Sequence, residues 1–167
     1  PLASGAKLGA YGLTEAGAGS DSRGTRTRAQ RDADGWVLNG TKRFITNAPH
    51  AGIFTLMART NPADKGASGV SSFIVERDTP GITIGKPDRK MGHRGAHTAD
   101  VIFENCRVPA TQLMGGQEGQ QMAQDLDVAA AGAPLGGLAQ VLRQGGAGAG
   151  PSFDGLGGQI THENQRP

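Results

Sequence analysis

Apolar residues arrive along the first two thirds of this chain in short bursts separated by turn residues, not in long runs. Residues 36–38, 53–59, 70–76, 82–85 and 99–103 are each apolar enough for a strand. Residues 23–30 set Thr25 and Thr27 between arginines, the alternation of an exposed strand. Asp32-Ala33-Asp34-Gly35 reads as a turn, because Asp and Gly tolerate left-handed backbone. Asn39-Gly40 is the strongest short hairpin signal, so residues 36–38 and 41–46 are expected to be two strands joined there. Residues 61–69 are a polar loop, and nothing before residue 115 carries a convincing helical period. The spacing predicts a mainly β domain over residues 1–114, a sandwich or barrel.

After residue 115 the pattern changes. Met122, Leu126 and Ala129 stand at helical spacing, which predicts a helix over residues 117–128. Gly132, Pro134, Gly136 and Gly137 then interrupt it, leaving room for a short helical piece over 135–143. Between Val128 and Thr161 only Arg143 and Asp154 carry charge, and residues 145–158 are mostly Gly and Ala. So little apolar bulk does not offset the entropy of ordering, and residues 115–167 are expected to form a helical or poorly ordered tail.

Composition narrows the function classes. Seventeen Lys and Arg against fifteen acids give a net charge of +2, with the basic residues scattered, so no nucleic-acid footprint is expected. A single cysteine, Cys106, forms no internal disulfide and fits a reducing compartment; with only Arg107 beside it, an inert thiol is expected. The absence of an eighteen-residue apolar run excludes a transmembrane helix, and no signal-peptide pattern is present, so a cytoplasmic (in a eukaryote, mitochondrial-matrix) location is expected. His50, His93, His97 and His162 show no metal-ligand spacing. A chain that opens at Pro1, ten residues before its densest motif, reads as an internal piece of a longer protein.

That motif is Tyr-Gly-Leu-Thr-Glu-Ala-Gly-Ala-Gly-Ser-Asp at 11–21. It packs three glycines, a threonine, a serine and two carboxylates into eleven positions, suiting a tight loop whose N–H groups approach a planar or phosphorylated ligand. Phe44-Ile45-Thr46-Asn47 follows, preceded by Asp34-Gly35-Trp36-Val37-Leu38-Asn39-Gly40-Thr41-Lys42. Further on come Phe73-Ile74-Val75-Glu76 before Thr79-Pro80-Gly81-Ile82, then Lys90-Met91-Gly92-His93-Arg94, then residues 101–109, Val-Ile-Phe-Glu-Asn-Cys-Arg-Val-Pro. In this order, over residues 2–121, the motifs resemble the central β-barrel domain of acyl-CoA dehydrogenases.

The resemblance implies FAD as cofactor and oxidation of an acyl-CoA to its 2,3-enoyl-CoA by the full-length protein. It also implies electron transfer to an electron-transfer flavoprotein and a homotetramer. It assigns flavin contacts to Tyr11, Leu13, Thr14, Gly19, Ser20, Phe44, Ile45 and Thr46, with Phe44 where many relatives carry Trp. Ser20 would also face the coenzyme A part of the substrate, Arg94 would meet its phosphates, and the loop 61–69 with Lys65 would border its chain. On residue type alone, Thr14 and Ser20 serve equally well as turn-capping hydroxyls, and Phe44 and Ile45 as core. Glu15 is expected to be structural, Asn47 to fix the turn before Pro49, and the catalytic base to lie in following helices. The chain alone is therefore expected to be inactive. Two other readings stay open: a non-catalytic remnant or binding module that keeps the barrel, and an acyl-CoA oxidase-like member of the superfamily.

Overall fold

The computed structural model describes residues 1–119. Residues 120–167, with most of the expected helix and the whole Gly- and Ala-rich stretch, lie outside the described residues. Seven strands make the fold: β1 Gly9–Gly12, β2 Arg28–Arg31, β3 Gly35–Thr46, β4 Ile53–Arg59, β5 Val70–Glu76, β6 Ile82–Ile84 and β7 Thr98–Pro109. Only short 3₁₀ turns accompany them among the described residues. The mainly β reading of the sequence holds.

The strands join one sheet in the order β1-β4-β2-β3-β7-β6, with β5 on the other side of β4. One edge of β4 pairs parallel with β1 and then, at Arg59 opposite Arg28, with β2. Its other edge pairs antiparallel with all of β5. Phe54, Leu56 and Ala58 of β4 face the main core, while Met57 packs with Val70, Leu13 and Ala67 on the reverse face. Burial on both faces explains why β4 is nearly continuous in apolar residues.

The sheet curls. At roughly 4.8 Å per strand, β5 and β3 would stand about 14 Å apart in a flat sheet. Yet Phe73 of β5 and Trp36 of β3 meet edge to face with ring centroids 5.4 Å apart. A half-barrel results, with Trp36, Leu38, Phe54, Leu56, Phe73, Val101 and Phe103 in its interior.

One expectation needs correcting. Asn39-Gly40 is not a hairpin turn; β3 runs unbroken from Gly35 to Thr46. The hairpin turns at residues 32–35, where Asp32 N–H bonds Gly35 O and Arg31 pairs with Trp36. Gly40 does adopt a glycine-only φ of 150°, but because a Cβ there would fall 2.5 Å from Thr27 Oγ1. The Asn39 Oδ1 accepts a hydrogen bond from Asn105 N–H at 2.8 Å. The pair thus serves a close strand crossing and a bulge. The strand expected at 23–30 shrinks to Arg28–Arg31, and that expected at 99–103 lengthens to Thr98–Pro109.

Two bulges set which side chains of β3 and β7 face inward. Between the pairs Leu38–Cys106 and Gly40–Phe103 the extra residue lies on β7, with Asn105 at φ 49°. Between Lys42–Val101 and Ile45–Ala99 it lies on β3, with Phe44 at φ 57°. A bulge residue in left-handed backbone re-aims the side chains that follow it. Strict alternation from Trp36 through Leu38 and Lys42 would bury Phe44. The bulge instead leaves Phe44 57 % exposed and puts Ile45 in the core at 2 %.

Candidate functional site

The Gly-rich loop begins where β1 ends and is tied down by its own backbone. Glu15 and Ala18 exchange N–H to carbonyl bonds of 2.9 and 3.2 Å, leaving Ala16 and Gly17 at the exposed tip. Beneath the tip the Glu15 side chain turns inward and is almost wholly buried. Its carboxylate accepts from Arg26 N–H at 2.8 Å, Thr27 N–H at 3.0 Å and the Lys42 ammonium at 2.8 Å. Lys42, with no exposed side-chain surface, also donates to Leu13 O at 3.0 Å. One residue on, Arg43 N–H donates to Thr14 O at 2.8 Å. The two motifs that stood about thirty residues apart in sequence are therefore bonded at Leu13, Thr14 and Glu15.

The electrostatics of the pair follow from burial. Burial pulls the Lys42 ammonium down to about 8, against the hydrogen bond and charge of Glu15, which favour the proton. For Glu15, burial would raise the pKa, but the hydrogen bond and charge of Lys42 and the Thr27 amide together hold it below its ordinary value. A buried carboxylate engaged by three donors of its own chain fits the structural role expected of Glu15.

Past Lys42, the bulge presents Phe44 to the exterior, with the Arg43 guanidinium 4.8 Å from its ring centroid and paired to Asp100 at 3.0 Å. Thr46 is exposed, Thr14 and Leu13 half-buried, and Tyr11, Gly19 and Ser20 exposed. Ile45 is the exception among the flavin candidates: its side chain belongs to the core, so only its backbone is left for a ligand. Asn47, at φ 66°, offers its carbonyl to the N–H groups of His50 and Ala51 and so forms the expected turn. Gly17 and Gly19 have ordinary φ, and a Cβ on either would meet nothing within 4 Å. The chain's own packing does not demand glycine there; a bare backbone surface open to close approach is what the two glycines provide. Open glycines, exposed hydroxyls and an outward aromatic suit a planar ligand.

Arg94 stands apart. It lies exposed between β6 and β7, and no hydrogen bond or ion pair among the described residues links it to Ser20. Cys106 is fully buried opposite Leu38, and burial pushes its thiol up to about 11, the inert state expected. His50 Nε2 and His97 Nδ1 lie 3.0 Å apart at the surface, a pairing the sequence did not suggest.

Beyond Ser20 a cleft of about 580 Å³ opens, lined by Asp21, Arg23, Arg26, Arg28, Arg59 and Lys65 among others. Arg59 is committed to the backbone: it donates to the carbonyls of Arg23, Thr25 and Asp64 and so ties the two walls together. Arg26 and Arg28 are exposed and have no ion-pair partner among the described residues. Sequence reading singled out Lys65 but missed Arg26, Arg28 and Lys42. The signal for Lys42 was present: it falls on the inward phase set by Trp36 and Leu38.

Comparison with known proteins agrees with this architecture. The family profile "Acyl-CoA dehydrogenase, middle domain" matches residues 10–106. The chain is 49 % identical over 109 residues to cyclohexane-1-carbonyl-CoA dehydrogenase of Syntrophus aciditrophicus, a stretch that is 65 % of this chain and 28 % of that protein. The fold superposes on butyryl-CoA dehydrogenase of Megasphaera elsdenii with a TM-score of 0.71 at 42 % identity, over 76 % of this chain and 33 % of the other. A glutaryl-CoA dehydrogenase of Mycobacterium smegmatis, solved with FADH2, matches with a TM-score of 0.65 at 40 % identity, over 72 % of this chain and 30 % of the other. The chain thus spans about a third or less of the length of these relatives. With the half-barrel and the bonded motifs, this match over more than half of its length means that the chain belongs to the acyl-CoA dehydrogenase family, as its middle domain.

Proposed function

We propose that this chain supplies the flavin-facing domain of an FAD-dependent dehydrogenase that oxidises an acyl-CoA to its 2,3-enoyl-CoA. The observation that carries the reading is Phe44. Left-handed backbone at a bulky residue costs about 1–3 kcal/mol and persists where surrounding structure over-determines it, commonly at ligand clamps. Here that strain turns an aromatic ring out of the core on the strand that holds the glycine-rich loop at Leu13 and Thr14, a burial pattern that folding alone does not favour.

FAD, when bound, supplies the hydride acceptor. The protein's part is to bind and orient. The Thr14 hydroxyl and Leu13 backbone meet the flavin edge, Phe44 covers a ring face, and Ile45 and Thr46 contribute backbone and hydroxyl. Tyr11 and Gly19 complete the surround. Ser20 stands between flavin and coenzyme A, whose phosphates meet either the cations of the neighbouring cleft or Arg94. The base that takes the α-proton lies outside residues 1–119, as do the tetramer contacts, and an electron-transfer flavoprotein takes the electrons. A cytoplasmic or matrix location and a place in fatty acid metabolism complete the reading.

Phe44→Gly is the direct test. Relief of the left-handed strain leaves stability unchanged or raises it by about 1 kcal/mol in a thermal melt. FAD affinity, followed by quenching of flavin fluorescence, falls about tenfold through the lost ring contact. A wild-type chain that leaves the fluorescence and spectrum of FAD unchanged sinks the reading. For the cleft, Arg26→Glu with Arg28→Glu weakens coenzyme A binding about tenfold at low salt, a difference that shrinks at high salt because exposed charges are screened. Equal affinity of both proteins at low salt removes the cleft from the substrate site.

A further inference from the structure

We propose that Lys42 is a positioning residue that acts as a protonated clasp: its ammonium holds the backbone of Leu13 and Thr14 against residues 44–46, so that ligand binding at this face requires the lysine to keep its proton. The identity of the ligand as a flavin rests on the function proposed above; the clasp itself does not.

The geometry leaves Lys42 little else to do. It stands on the core face of β3 opposite Val101, in a row otherwise made of Trp36, Leu38 and Ile45. A buried lysine is expensive unless paired and hydrogen-bonded, and this one directs its ammonium at two acceptors of one loop, Leu13 O and Glu15. Leu13 O lies one peptide before Thr14 O, which the next residue of the same strand holds through Arg43 N–H. Two consecutive residues of β3 thus grip two consecutive carbonyls of the loop, and the next residue along β3 is Phe44.

The groups around the ammonium make it titratable within the working range of an enzyme. From the loop Glu15 faces it; from β1 comes Gly12, which has no side chain, and from β7 the apolar Val101. The segment before β2 contributes backbone amides to Glu15 while the Arg26 guanidinium stays exposed. Arg43 and Asp100 pair with each other on partly exposed ground. Glu15 is therefore the one charge that favours the proton at close range among the described residues, and burial brings Lys42 down to about 8.

The sign separates this device from simple unfolding. Between about pH 8 and the ordinary lysine value of 10.5 the unfolded chain holds a proton that the folded chain has released. Folding stability from this group therefore rises with pH across that window. The loop nevertheless loosens there, because an opening that carries Glu15 away while Lys42 stays buried removes the group that favours the proton, and so costs less once the amine is neutral. Loosening of the loop without loss of global stability is the signature.

The test is amide hydrogen exchange at pH 7 and pH 9, corrected for intrinsic rates, on the flavin-free chain, with FAD titrations on the same samples. Wild type is compared with Lys42→Arg and Lys42→Met. In wild type, protection of the Glu15, Ala18 and Arg43 amides is expected to fall about tenfold between the two pH values, following the protonated fraction. FAD affinity falls with it, while the melting temperature does not. Lys42→Arg, whose charge does not titrate, keeps its protection at both pH values, and Lys42→Met lacks it at both. If Lys42→Met does not fold, the comparison of wild type with Lys42→Arg decides. Equal wild-type protection at the two pH values overturns the clasp, as does the same alkaline loss in Lys42→Arg. FAD affinity that stays constant while protection falls overturns the positioning role. Protection that behaves as expected with no FAD binding at either pH leaves the clasp in place and removes the flavin.

Discussion

Replacing Glu15 with alanine lowers the unfolding free energy by about 3–5 kcal/mol at pH 7, the magnitude typical of removing one partner from a buried ion pair. Three donors lose their acceptor at once: the Arg26 and Thr27 amides and the Lys42 ammonium. A buried donor left unpaired costs about 1–3 kcal/mol, so two amides alone approach the lower end of the range. Lys42 adds to it, either by keeping an uncompensated charge or by releasing its proton. The acid limb supplies a second readout. Because Glu15 titrates below its ordinary 4.5 in the folded state, its contribution is full above that value and drains away as the pH falls through the folded pKa. Denaturant titrations from pH 3 to 7 are therefore steeper in wild type than in Glu15→Ala. A loss under about 1 kcal/mol at pH 7 would mean that the pair adds nothing beyond a surface contact.

Phe73→Ala costs a similar amount for a different reason. Its ring is fully buried and meets Trp36 across the concave side of the sheet, and its backbone bridges Leu113. Deleting a buried phenylalanine removes its transfer energy and leaves a cavity, together about 3–5 kcal/mol. The half-barrel offers little scope for collapse, because its curvature is fixed by strands that pair on both sides of β4. Trp36 is the chain's single tryptophan, so its emission follows the same transition and reports any wetting of the core. A red-shifted native emission accompanies the expected loss; an unchanged emission with a melt shifted by less than 2 °C, about 0.5 kcal/mol or less for a domain this size, would place Phe73 outside the core.

The elements most legible in the sequence were those whose burial is simple. β4 and β5 match residues 53–59 and 70–76 because packed strands without bulges carry their whole signal in residue type. β3 was misread where local chemistry and tertiary pairing conflict: Asn39-Gly40 carries a hairpin signal, and Gly40 does need glycine, yet the constraint comes from Thr27 on a neighbouring segment. The short β2 was overextended because Arg59 recruits the backbone just before it.

At the site, the loop and the aromatic segment were legible as strings because they match the family's middle domain in residue type and order. The way they join was not. Lys42 looks like a surface residue until Glu15 is folded beneath the loop, and the cleft arginines look scattered until Arg59 draws residues 23–25 and 64–66 together. Nor does residue type reveal that Phe44 points out and Ile45 in, since both suit either face.

That inversion makes the exterior of β3 a matter of counting. Keeping every residue but flattening the bulge would bring residue 44 into step with Trp36 and Leu38, send its ring inward and lift Ile45 to the surface, whereas deleting Arg43 would remove the extra residue and leave both as they are. The face that carries the Phe44 ring is thus written as a phase, one residue long, in which length outweighs composition.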